Sequence, residues 1–142
     1  MKNPKILVII PAFNEEANIR KTLKEIFALP LALNVIVIDD GSRDLTANAA
    51  RDEGADVISL PFNLGIGGAV QTGFQIAFER GFDVAVQVDG DGQHDPAYLT
   101  TILDPVISDE ADMSIGSRFM PRTEKGYQSS FVRRVGINFL SH

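Results

Sequence analysis

The sequence has no cysteine among its 142 residues, which excludes disulfides and thiolate metal sites and accords with a reducing compartment. It has no basic excess. Thirteen Lys and Arg against nineteen Asp and Glu give a formal charge of −6, the wrong sign for a face that binds nucleic acid in bulk. It has no apolar run long enough to span a membrane. The short apolar stretch after Lys5 gives way to Ala12-Phe13-Asn14-Glu15, so no secretory signal is read there. Internal repeats, low-complexity tracts and interdomain linkers are missing too. What remains, 44% hydrophobic and 23% charged, is the composition of one soluble globular domain able to bury a core. A cytoplasmic location is expected.

Short, β-branched apolar runs alternate with helical patterns. Residues 6–10, 35–38, 56–59, 84–88 and 113–117 read as five strands, most of them buried on both faces. Between the first two, Pro11 to Glu16 read as a turn with Asn14 as helix cap, before Ile19, Leu23, Ile26 and Phe27 on one helical face. Ser42 or Asp44 caps a short helix over 45–53, which Gly54 stops. The glycine-rich loop 61–68 opens a helix with apolar positions Val70, Phe74, Ala77 and Phe78, ended by Gly81. Asp95 caps, and Pro96 begins, a helix striped by Leu99, Ile102, Leu103, Val106 and Ile107, with a kink or early end expected at Pro105. Residues 120–130 read as a mobile loop and 131–140 as a short amphipathic helix. This alternation predicts a mostly parallel, Rossmann-like α/β sheet with helices on both faces.

A parallel sheet brings the polar strand ends to one edge: Asn14 and Glu15, then Asp39 and Asp40, then Asp89 and Asp91. Asp89-Gly90-Asp91 is the strongest signal, because Asp95 already supplies the cap of the following helix. Two hard carboxylates around a glycine suit a divalent cation that keeps positions open for phosphate oxygens. An EF-hand is excluded, since His94 and Thr100 stand where it needs glycine and glutamate. A phosphatase-type aspartyl nucleophile fits poorly, because the first strand ends in Pro11-Ala12-Phe13. Residues 65–70 lack the last glycine of a dinucleotide fingerprint and the lysine of a Walker loop. They remain either a close-packing helix start or a phosphate- or sugar-facing loop. Gln93 has a carbonyl oxygen for a metal shell, His94 is a modest signal, and Arg118 suits a phosphate oxygen.

Five segments together resemble the family 2 glycosyltransferases of GT-A fold, most closely the dolichol-phosphate mannose synthase-like branch. They are residues 10–16, 37–42, 63–73, 89–96 and 116–119. The resemblance implies one catalytic domain over 1–142, with the donor half complete, the acceptor side incomplete and the C-terminus truncated. It implies that Pro11, Phe13 and Glu15, with Ala12, Asn14, Gly68 and Gly90, line the nucleotide pocket, and that Asp40 contacts the base. Asp89 and Asp91 would form the catalytic DXD motif holding Mg²⁺ or Mn²⁺, with Gln93 as a third ligand and Asp89 also touching the nucleotide. Arg118 would act in catalysis and on the acceptor, and Arg133 and Arg134 would bind the acceptor.

The implied reaction is inverting transfer of a sugar from a GDP- or UDP-sugar to a polyprenyl or dolichyl phosphate. Residues 131–142, or segments beyond them, would meet the cytoplasmic face of a membrane. A phosphate acceptor is already anionic, and no general base stands out between Arg118 and His142. The rival readings are transfer to a sugar hydroxyl in polysaccharide or cell-wall synthesis, a non-catalytic nucleotide-binding module, and another Mg²⁺-dependent phosphate enzyme.

Overall fold

The computed structural model describes residues 1–92 and 95–116. Four parallel strands, β1 (Ile6–Ala12), β2 (Leu33–Asp39), β3 (Asp56–Ser59) and β4 (Val84–Gln87), lie in the order β3-β2-β1-β4. Between them run α1 (Glu16–Phe27), α2 (Thr46–Asp52) and α3 (Gly65–Glu79); a 3₁₀ turn, Pro96–Tyr98, leads into α4 (Leu99–Ile107). From β1 the chain steps outward to β2 and β3. It then returns through α3 to the opposite side of β1, so the winding reverses between β1 and β4. The crevice at such a reversal, outside the carboxyl ends of the strands, is where open α/β sheets bind ligands.

Successive residues of β1 face opposite layers. Ile6, Val8, Ile10 and Ala12 pack with Ile19, Leu23 and Ile26 of α1, Ala49 and Ala50 of α2, and Leu99 and Leu103 of α4. Leu7 and Ile9, with Ile36 and Ile38 of β2, pack against Ala69 and Ala77 of α3. Helices on both faces explain why β1 reads as one continuous apolar run.

Four local expectations are corrected. Pro11 and Ala12 belong to β1, not to the turn after it. The Ile9 carbonyl accepts from the Val88 N–H on the β4 side, and the Ala12 carbonyl accepts from the Asp40 N–H on the β2 side. Pro11 therefore turns its edge toward β4 beyond the last paired residues, Ile9 and Gln87, where a missing N–H costs no ladder bond. Residues 113–116 form no strand, and Met113 and Ile115 are exposed. Among the described residues no neighbour pairs with them, and an apolar run without a ladder is not a strand. Of the kink or early end expected at Pro105, the early end does not occur: Pro105 lies inside α4, and the helix runs two residues further, to Ile107.

The fourth correction concerns which faces are buried. In α1, Thr22 is buried in place of Phe27. In α3 the buried positions are Ala69, Gly73 and Ala77, while Phe74 and Phe78 are exposed. The small residues win because α3 lies very close to the sheet: a Cβ at position 73 would overlap the Ile9 side chain. A phenylalanine cannot enter that contact.

Candidate active site

The loops after β1 and β2 are joined by a set of crossed hydrogen bonds. Asn14 N–H donates to Ser42 Oγ (2.9 Å), and Arg43 N–H donates to Asn14 Oδ1 (2.9 Å). Glu15 N–H donates to Thr46 Oγ1 (2.9 Å), and Glu16 N–H to Asp44 Oδ2 (3.2 Å). Leu45 N–H returns one to Glu16 Oε2 (3.2 Å). Asn14 is thus a bridge between loops with φ of +53°, not the cap of α1. A partner 29 residues away in sequence is invisible to local capping rules. Asp44 accepts from the N–H of Thr46, the first residue of α2, at 3.0 Å, although the N-cap of that helix is Leu45.

At the end of β2, Asp39 and Asp40 are both buried. Asp39 accepts from Ser42 N–H (3.0 Å), and Asp40 accepts from Leu64 N–H (2.7 Å). The second bond fastens the loop before α3 to the sheet edge. Gly41 makes room for it: its φ is +73°, and a Cβ there would stand 3.0 Å from the Asn63 backbone nitrogen. Gly68 sits in the first turn of α3, its open side filled by the Leu64 side chain.

At the end of β4, Asp89 and Asp91 are half-buried, and Gly90 between them is buried. A Cβ on Gly90 would lie 3.2 Å from Ile10 Cγ2 and 3.4 Å from the Pro11 carbonyl oxygen. The turn therefore rests directly on the end of β1, at the crevice where the winding reverses. Gln87 Nε2 donates to Asp89 Oδ1 (3.1 Å). That contact joins Gln87, the last residue of β4, to Asp89, two residues further along the chain.

Pro11 and Ala12 are buried at the same edge, Glu15 is half-buried, and Phe13 and Asn14 are exposed. Asp95 accepts from Ala97 N–H (2.9 Å), which holds the 3₁₀ turn before α4; the N-cap of α4 itself is Tyr98. Gln93, Arg118, Arg133 and Arg134 lie outside the described residues, as do His94 and the helix expected over 131–140.

The donor chemistry of Asp89 and Asp91, two hard oxygen ligands, fits Mg²⁺ or Mn²⁺. No third Asp, Glu, His or Cys joins them as a metal-holding group among the described residues. Two protein carboxylates with the remaining positions left to substrate phosphates is the usual arrangement for such an ion.

The model of glycosyl transferase family 2 matches residues 7–134. The chain belongs to this family. The α/β architecture is the GT-A fold. Among family relatives, the chain is 32% identical to UDP-N-acetylglucosamine–dolichyl-phosphate N-acetylglucosaminyltransferase of Methanococcus voltae, over 99% of this chain and 63% of that protein. It is 38% identical to undecaprenyl-phosphate mannosyltransferase of Micrococcus luteus, over 82% and 49%. The chain thus spans about half to two thirds of the length of these curated relatives. Among solved structures it is similar to glucosyl-3-phosphoglycerate synthase of Mycobacterium tuberculosis, in a complex with Mn²⁺, uridine diphosphate and glucosyl-3-phosphoglycerate. That match has a TM-score of 0.62 and 28% identity, covering 74% of this chain and 40% of the other. Within this family 2 member, no helix among the described residues is long and apolar enough to cross a membrane.

Proposed function

We propose that the chain is the donor-binding part of an inverting hexosyltransferase that moves a sugar from a GDP- or UDP-sugar to a polyprenyl phosphate. The observation that carries this reading is the meeting of Asp40 at the end of β2 and Asp89-Gly90-Asp91 at the end of β4 on either side of the end of β1. The names of the two relatives, both transferases to lipid phosphates, support the acceptor class. The Mn²⁺ and uridine diphosphate in the solved relative support a metal and a nucleotide donor.

In this reading Asp89 and Asp91 hold Mg²⁺ or Mn²⁺, with Gln93 as the third protein ligand. When bound, the ion acts as a Lewis acid toward the negative charge that develops on the departing nucleoside diphosphate. Gln87 steadies the Asp89 carboxylate by the amide hydrogen bond. Gly90 sets the turn down on Pro11, so that the carboxylates and the nucleoside pocket share one wall. Pro11, Ala12, Phe13, Asn14, Glu15 and Gly68 line that pocket, and Asp40 accepts from the base. Uracil and guanine both offer ring N–H donors, so Asp40 serves either donor. Arg118 meets the diphosphate or the acceptor phosphate, and Arg133 and Arg134 meet the acceptor near a cytoplasmic membrane surface. An acceptor phosphate attacks as an anion and needs no general base.

The test is a screen of GDP- and UDP-sugars with Mn²⁺ against undecaprenyl phosphate, dolichyl phosphate and sugar-alcohol acceptors, following labelled sugar into the organic phase. Transfer to a lipid phosphate is expected. Labelling of the sugar alcohols alone would move the assignment to polysaccharide synthesis, and nucleotide binding without transfer would favour a binding module.

A further inference from the structure

We propose that Asp44 and Thr46 are positioning residues of the donor site, setting the backbone of Glu15 through a two-step hydrogen-bond relay. The inference rests on the reading of Glu15 as a wall of the nucleotide pocket. Thr46 is completely buried. Its hydroxyl has one proton, and that proton goes to Asp44 Oδ1. The hydroxyl oxygen is then left as an acceptor, and it takes the Glu15 N–H at 2.9 Å. The same Asp44 oxygen also takes the Thr46 N–H at 3.0 Å, which fixes the carboxylate over the first turn of α2. The other oxygen takes the Glu16 N–H at 3.2 Å, at the first residue of α1.

One carboxylate therefore holds the starts of two helices and the direction of one hydroxyl. Its other consequence is at Glu15. The residue's N–H is committed to Thr46, and its side chain accepts from Asn18 Nδ2 at 3.0 Å. Glu15 is pinned from both ends, while Asp44 itself sits in the β2–α2 loop. The sequence places Asp44 and Thr46 near Glu15 only through the pairing of β1 with β2, since the Glu15–Thr46 contact spans 31 residues.

Thr46→Val keeps the side-chain shape and removes only the relay, Thr46→Ser keeps the hydroxyl, and Asp44→Asn puts an amide N–H where one acceptor is needed. Calorimetric titration with Mn²⁺ and UDP, and with Mn²⁺ and GDP, is read beside thermal unfolding. The Gly73→Ala variant, strained on the far face of the sheet, serves as a control for lowered stability alone. The expected result is a Kd about three- to tenfold weaker for Thr46→Val and Asp44→Asn, the loss of one hydrogen bond's worth of positioning. Thr46→Ser should bind within about twofold of the unaltered chain, and Gly73→Ala should bind normally below its unfolding temperature. Should Thr46→Val and Asp44→Asn fold and bind like the unaltered chain, the relay does not position the site. Equal losses in Thr46→Ser and Thr46→Val would also overturn it, by pointing to packing of the methyl group. Failure of the unaltered chain to bind either nucleotide would overturn both this inference and the donor-site reading.

Discussion

The Asp40 carboxylate accepts the Leu64 N–H at 2.7 Å, so the acidic end of β2 is fastened to the loop that starts α3. One oxygen of the proposed base-reading residue thus serves the fold, and the two roles separate by substitution. Asp40→Ala leaves a part-buried N–H without its charged acceptor and should lower stability by about 1–3 kcal/mol in urea titration. Asp40→Asn retains a carbonyl oxygen for Leu64 and should keep most of that stability, while nucleotide affinity falls roughly tenfold. Wild-type affinity in Asp40→Asn would reduce the residue to a loop fastener.

Gly73→Ala tests the closeness of α3 to the sheet. A methyl group there meets Ile9 in the middle of β1, where neither the helix nor the strand can yield without disturbing its neighbours. Overpacking of this kind should cost about 1–3 kcal/mol, seen as a lower unfolding midpoint. Unchanged stability would mean that α3 can ride further from the sheet than the packing indicates.

Gly90→Ala tests the seating of the Asp89–Asp91 turn on β1. The new Cβ would stand 3.2 Å from Ile10 Cγ2 and 3.6 Å from Ile19 Cδ1, tight enough to push the turn outward by a few tenths of an ångström. Affinity for Mn²⁺ with UDP or GDP should fall roughly tenfold, about 1.4 kcal/mol, with a smaller loss of stability. A variant that loses stability but binds normally would show the turn to be a packing feature only.

Acid should act through Asp44. Burial pushes its carboxyl up, but hydrogen bonds from the Thr46 hydroxyl, the Thr46 N–H and the Glu16 N–H outweigh this and hold it below its ordinary value. A carboxyl depressed in the folded state stabilises the fold above its unfolded pKa of about 3.9, and that contribution fades as pH falls through the folded value. Unfolding midpoints measured from about pH 6 down to about pH 2.5 should therefore drop more steeply for the unaltered chain than for Asp44→Asn, with the difference arising below about pH 4. Parallel curves would show that Asp44 does not contribute.

Much of this fold was legible because strands buried on both faces and amphipathic helices leave periodic traces. Residues 56–59 read as the strand that forms, and Leu99, Ile102 and Leu103 read as the face that packs. The reading failed where packing depends on distance between elements. Phe74 and Phe78 carry the stronger apolar signal in α3, yet Gly73 decides which face goes inward, because only a residue without a side chain fits against Ile9. Met113 and Ile115 look like a strand, but strand formation needs a partner that no local pattern specifies. In the site, the strand-end acids were legible as a set. Their fastenings were not: Asp40 to Leu64, Asn14 to Arg43 and Thr46 to Glu15 each cross more than twenty residues and follow from the strand order alone.

Everything proposed for this site depends on Asp89 and Asp91 binding a nucleoside diphosphate through a divalent ion. Titration calorimetry of the unaltered chain and Asp91→Ala with UDP and with GDP, each with Mn²⁺ and then with EDTA, tests this directly. The expected result is saturable binding of at least one nucleotide by the unaltered chain in Mn²⁺, lost in EDTA and lost in a folded Asp91→Ala variant. Binding that survives both EDTA and Asp91→Ala, or no binding by the unaltered chain with Mn²⁺, would contradict it.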